Sequence, residues 1–210
     1  YRVVVGSLIA SLALGVSTWG VHLAGWGQSE TTTFAFSILA LLAIVPVALI
    51  AYCWLATLHQ GRNGFSATTL FVLAFFLLGG VTVLMELFLR SPGLGSILST
   101  TMFSSAQLDY LIWGAVMSAL LAGLHAWYPE TTGRRFDEGY AFLGGLLYLL
   151  GLNLALVPNI LLGTRGVPAD MQALEVGASA LPGVSLIGWT LAVTGLLIVL
   201  GNLLRALTDG

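Results

Sequence analysis

The 210-residue chain has no lysine, one cysteine and little charge of either sign: seven arginines and nine acids make up 8% of it, against about a quarter in soluble domains. Each shortage excludes something. With a net charge of −2 and no lysine there is no basic stripe to follow a nucleic-acid backbone, so nucleic acid is not an expected partner. Cys53 cannot close an intrachain disulfide, and its apolar run makes it an expected small core residue. No segment has the composition of a domain linker, so residues 1–210 are read as a single bundle. What the chain does have is 58% hydrophobic residues and a mean hydropathy of +0.97. That is the composition of an integral membrane protein.

A bilayer core about 30 Å thick takes about 20 apolar residues per helix. Six runs meet that length, near 4–27, 32–59, 66–89, 104–128, 140–163 and 182–207. The fold class read from them is all-α: a polytopic bundle of about six transmembrane helices. Turn residues separate the runs, as in Gln60-Gly61-Arg62-Asn63-Gly64, Ser91-Pro92-Gly93, Pro129 to Gly133 and Pro168 to Pro182. The connectors place Arg2, Arg62, Arg134, Arg135 and Arg205 on one side and Arg90 and Arg165 on the other. The excess of positive charge predicts cytoplasmic termini. The 26 glycines, among them Gly79-Gly80, Gly114, Gly123, Gly144-Gly145, Gly151, Gly188 and Gly195, predict close helix approach, because small residues let backbones meet in lipid.

Several segments go beyond composition: Trp19-Gly20-Val21-His22, Val45-Pro46, Trp54-Leu55-Ala56-Thr57-Leu58-His59-Gln60-Gly61, the helix from Gly114 to Trp127-Tyr128-Pro129, Thr132-Gly133, Asn153 to Pro158, and Gly166-Val167-Pro168. In these the whole chain resembles haem-copper oxidase (cytochrome c oxidase) subunit I, matching the C-terminal half of that family, helices seven to twelve. The resemblance implies a respiratory electron-transport setting in a bacterial inner or mitochondrial inner membrane, with the termini on the cytoplasmic or matrix side. It also implies other membrane subunits and lipid as partners.

The residues that carry the family's chemistry are not kept. Where the resemblance implies two adjacent copper-ligating histidines, the chain has Val21-His22; where it implies two haem-ligating histidines, it has Gln107 and Asp109. Neither side chain is an axial ligand of the usual kind, His, Met, Cys or Tyr. The two propionate-facing arginines correspond to Ala169-Asp170, the proton-channel lysine and threonine to Ile50 and Val47, and the magnesium-site His-Asp pair to Ser99-Thr100. A proton relay in a membrane needs ionisable or hydroxyl groups, so that channel reads as lost. No catalytic residue, no metal and no cofactor is expected on this chain; haem and copper would belong to partner chains.

The remaining intramembrane polar groups are Glu86 with Arg90, at a spacing that permits an ion pair, and Asp109, as polar lining or an interface. His59 and His125 are expected near helix ends in structural roles. Trp26, Trp127, Tyr128 and Tyr140 read as an interfacial aromatic belt, Pro46 and Pro158 as inherited kinks, and Trp113 and Met117 as fillers of the vacated haem space. The expected function is a non-catalytic, subunit-I-like structural subunit of a haem-copper oxidase or related electron-transport complex. Alone it is not expected to be an enzyme; any enzyme it joins would be a cytochrome c oxidase-type oxidoreductase complex. One alternative is a transporter or channel lined by Thr100, Thr101, Ser104, Gln107 and Asp109. A second is a fragment of an active terminal oxidase completed by other chains, since the chain opens at Tyr1 rather than Met.

Overall fold

In hydrocarbon every backbone N–H and C=O must be satisfied within the protein, which leaves helices as the solution for long apolar runs. The computed structural model describes residues 1–19, 29–60, 64–91, 93–170 and 180–208, and the described residues are helical apart from short connectors. The helices are α1 (Arg2–Ser17), α2 (Glu30–Leu42), α3 (Ile44–Gln60), α4 (Ala67–Arg90), α5 (Leu94–Leu98), α6 (Met102–Asp109), a π-helical segment (Tyr110–Val116), α7 (Met117–Thr132), α8 (Glu138–Thr164) and α9 (Leu181–Thr208). Among the described residues, five helical spans are long and apolar enough to cross a membrane, and Arg2–Ser17 is a shorter apolar helix. The rest of the run expected at 4–27 lies outside the described residues.

The chain forms two compact units, Tyr1–Asn63 with Glu86–Ser96, and Gly64–Met85 with Ile97–Gly210. In the first, α1 packs mainly on α3, and small buried residues such as Ser7 and Ser37 mark the contacts while Leu8, Ile9, Leu12 and Val16 face outward. The run expected at 32–59 stays one candidate span, Phe34–Thr57, with a one-residue interruption at Ala43 between α2 and α3. Pro46 explains the break: it has no N–H to give Leu42, and its ring crowds the carbonyl four residues back. Cys53, expected in a core, is half-buried.

The second unit holds the dense core. Carboxylates cap its helices: that of Asp137 accepts from the N–H groups of Gly139 and Tyr140 at the start of α8, and that of Glu138 accepts from Ala67 N–H at the start of α4, 3.0 Å away. The expected turn at Pro129 to Gly133 is corrected. Helix α7 runs through Pro129 to Thr132 and stops at Gly133, whose φ of 67° is left-handed. The Thr131 and Thr132 hydroxyls donate to carbonyls of the preceding turn, Trp127 and Tyr128.

Helices α8 and α9 form the tightest seam. The buried residues of α8 include Ala141, Gly144, Tyr148, Gly151, Ala155, Pro158 and Leu162, and those of α9 are Pro182, Ser185, Gly188, Ala192, Gly195, Val199, Asn202 and Leu203. From Ala141 to Leu162 and from Ser185 to Asn202 the spacing alternates three and four, the heptad period that keeps one stripe facing a partner. The two stripes run antiparallel and their backbones meet: a Cβ on Gly151 would lie 2.8 Å from Gly188 O, and one on Gly144 2.9 Å from Gly195 O. The Ser185 hydroxyl closes one end of the seam on Ala155 O at 2.8 Å. Not every glycine works this way. Gly80 and Gly201 meet nothing within 4 Å.

Candidate functional site

The connector before α6 and the connector after α8 pair side by side. Met102 N–H donates to Val167 O and Ala169 N–H to Thr100 O, each at 2.9 Å, around a bridge between Thr101 and Pro168. This close approach depends on Gly163, where any Cβ would run into the backbone of Phe103. Ser99-Thr100 and Ala169-Asp170, far apart in sequence, therefore stand at one end of this unit. Their side chains offer hydroxyls, a methyl group and one exposed carboxylate. The Thr101 hydroxyl donates to Leu98 O at 2.9 Å and that of Ser104 to Ser99 O at 2.8 Å. The hydroxyls thus turn back onto their own backbone.

From that end the chain enters α6 with a Thr101 cap, whose hydroxyl oxygen accepts from Phe103 N–H. Gln107 and Asp109 occupy its last turn and are both half-buried. The helix then widens into the π segment from Tyr110 to Val116. π segments are rare, mostly single turns, and concentrate at functional positions. Two tyrosines secure this one. Tyr110, 1% exposed, donates its hydroxyl to Asn153 Oδ1 at 3.1 Å, while the Asn153 amide donates to Leu149 O at 2.8 Å. Tyr148, also buried, donates to the carbonyl of Trp113. At Gly114 the segment comes close enough to α4 that a Cβ would lie 3.1 Å from that of Leu78.

The large buried side chains that bond across to or from the π segment are Tyr110 and Tyr148. Trp113 is 40% exposed and meets Trp189 of α9 edge to face at 6.2 Å; Met117 is half-buried. Nothing in the residue pattern marked the π segment. The signal that existed was the pair of tyrosines and an asparagine within apolar runs, whose polar atoms had to find partners.

Of the other expected residues, Val21, His22 and Trp26 lie outside the described residues, as does the side chain of His59. On α3, Ile50 is half-buried and Val47 exposed. Glu86 and Arg90 pair as expected, Arg90 Nε donating to Glu86 Oε1 at 2.6 Å. His125 is corrected from a helix end to the interior of α7, because the helix continues past Pro129. It is 1% exposed, its Nδ1 bonds to Leu121 O at 2.7 Å, and its ring packs between Phe71 and Phe136. Trp127 and Tyr140 are exposed as a belt requires, but Tyr128 does more, donating to Leu203 O near the end of α9 at 2.7 Å. Arg134 caps the same helix end, donating to the carbonyls of Ala206 and Leu207, and Asn202 bonds both the N–H and the C=O of Asp137.

Chemically the region is an amide and a carboxylate on the last turn of α6, directly before a fixed π segment. Among the described residues no three His, Cys, Asp or Glu side chains converge as a metal site would require. An amide and a carboxylate do not fit an axial site of haem iron, and Asp170, where the resemblance implies an arginine, would repel a propionate.

Comparison with known proteins fits the resemblance. The family model described as cytochrome C and quinol oxidase polypeptide I matches residues 1–201. The chain is 28% identical over 208 residues to quinol oxidase subunit 1 of Bacillus subtilis, covering 97% of this chain and 32% of that one. It is 34% identical over 158 residues to the probable quinol oxidase subunit 1 of Staphylococcus haemolyticus, 74% of this chain and 23% of the other. To the probable cytochrome c oxidase subunit 1-beta of Nocardia farcinica it is 30% identical over 171 residues, 80% and 28% of the two chains. The chain spans about a third or less of the length of these relatives.

Proposed function

This chain belongs to the cytochrome c and quinol oxidase polypeptide I family, and within it, we propose, acts as a non-catalytic membrane subunit of an oxidase or related electron-transport assembly. One observation carries the reading: Gln107 and Asp109 stand on α6, at the mouth of a tyrosine-secured π segment, where the resemblance implies haem-ligating histidines. The helices, caps and turns that hold those positions persist, while the donors suited to iron do not. Haem and copper would then sit on partner chains, and this chain would contribute shape and surface.

The transporter reading is weaker on the same ground. The hydroxyls of Thr101 and Ser104, which would line a path, donate to backbone carbonyls instead. A cytoplasmic or matrix-side C-terminus is supported by Arg134, which joins the arginine-bearing connector to the end of α9, with Arg165 at the far end of α8.

The test is a reduced-minus-oxidised haem spectrum and metal analysis on this polypeptide after separation from its co-purifying chains. The expected result is no haem and no copper on this chain, with oxidase activity retained by its companions. Stoichiometric haem here would overturn the reading and return the chain to the catalytic subunits, as a fragment completed by others.

A further inference from the structure

We propose that one buried water molecule is bound between the His125 imidazole and the Glu138 carboxylate, where it joins α7 to the adjoining starts of α4 and α8. Every residue of the site lies in the second unit, apart from the π segment and from the paired connectors.

The need for a ligand comes from the ring. His125 is 1% exposed, and its Nδ1 stands 2.7 Å from Leu121 O. A carbonyl only accepts, so Nδ1 carries the hydrogen and Nε2 of the neutral ring presents a lone pair. That nitrogen is buried without a hydrogen-bond partner, a costly state for an acceptor. The side chains that bury it belong to this unit and bring no donor. Phe71 and Phe136 pack on the ring with centroids 5.1 and 4.9 Å away, and Tyr128, which packs on Phe136, gives its hydroxyl to Leu203 O.

The same packing brings in the second partner. Phe136 stands two residues before Glu138, and Phe71 stands one turn after Ala67, whose N–H donates to Glu138 Oε2. The two aromatic rings that clasp His125 are thus mounted beside the two residues that this carboxylate joins, and the charge of Glu138 acts on the imidazole. The neighbouring charged groups are engaged elsewhere: Asp137 caps α8 on Gly139 and Tyr140, and Arg134 donates to the end of α9. A carboxylate and a neutral Nε2 are both acceptors and cannot bond each other. Water supplies two O–H donors, one for each, and buried waters characteristically satisfy polar groups that the protein leaves unpaired. Glu138 is exposed, so water has a route to the site from the helix ends.

The experiment is magic-angle-spinning NMR on the full-length protein in lipid bilayers, with labelled histidine and glutamate and with the His125 signals assigned by their loss in His125→Asn. The expected spectrum has hydrogen on Nδ1, no hydrogen on Nε2, an Nε2 shift in the hydrogen-bonded range, and transfer from one slowly exchanging water to both the ring Cε1 proton and the Glu138 carboxylate carbon. Glu138→Leu should abolish the water signal at the ring and return Nε2 to the unbonded range, while an unchanged Nδ1 signal shows that the ring is still held by Leu121. A ring without water contact, a hydrogen on Nε2 bonded directly to Glu138, or a ring-bound water that shows no transfer to the Glu138 carboxylate carbon each overturns the proposal. The last two readings come from the unsubstituted protein, so they decide the matter even where Glu138→Leu fails to fold.

Discussion

Helix α8 makes two kinds of seam in the second unit. Against α9 it removes side chains, so that the backbones of Gly151 and Gly188 nearly touch; against the π segment it inserts Tyr148 and receives Tyr110, two large side chains tied by their hydroxyls. The first seam draws on dispersion across a close backbone approach, a sum of many weak attractions that fail together if one atom intrudes. The second draws on single hydrogen bonds, each of which can be removed by itself. In lipid, where apolar burial between helices has no driving force, the difference teaches that shape holds the long helices together and polar bonds set local conformation.

The comparison breaks most completely at Gly188. Gly188→Leu should destabilise the unit by about 3 kcal/mol, the upper end for overpacking, read as a lower midpoint in reversible SDS unfolding of bicelle-embedded protein. Gly201→Leu, on an open face of the same helix, should leave that midpoint unchanged. Equal effects at the two glycines would show that the seam is not what holds α9.

Gly163→Ala should come next, at about 1–3 kcal/mol, because its methyl group would push α6 off α8 at Phe103. Proteolysis of the 99–101 connector should accelerate with it; an unchanged rate would mean the connector pairing does not depend on this approach.

Tyr110→Phe and Tyr148→Phe should each cost about 0.6 kcal/mol, the average for a hydrogen bond between membrane helices. They should alter hydrogen exchange within Tyr110–Val116 far more than in α9. A global loss as large as that of Gly188→Leu would erase the distinction between the two seams.

The smallest effect should be at the Glu86–Arg90 pair. Glu86→Gln should cost about 0.3–0.5 kcal/mol, as for other i,i+4 pairs, and the loss should shrink as salt is raised. A larger, salt-independent loss would mean that this pair bears on more than the end of α4.

Much of the fold was legible because its signals are local. Apolar runs marked the spans, and the glycines expected at close approaches included Gly144, Gly151, Gly188 and Gly195, which meet backbone, along with Gly80, which does not. Three features escaped. The one-residue interruption at Ala43 needed the effect of Pro46 to be placed nearly a turn upstream of the proline itself. The continuation through Pro129 needed Thr131 and Thr132 to turn their hydroxyls to the preceding turn. The π segment needed Tyr148 to reach Trp113 from another helix, 35 residues away. The site followed the same division: the identities of Gln107 and Asp109 were plain, whereas their place at the mouth of a fastened π segment was not.

The sequence by itself determined the membrane class, most of the spans, and the absence of iron-suited donors at Gln107 and Asp109, because hydropathy and donor chemistry belong to residues one at a time. Only the tertiary structure decided which small-residue stripes meet, that Thr100 pairs with Ala169, and that α6 opens into a π turn. Those outcomes depend on two surfaces fitting at once, and close packing leaves such a fit little slack.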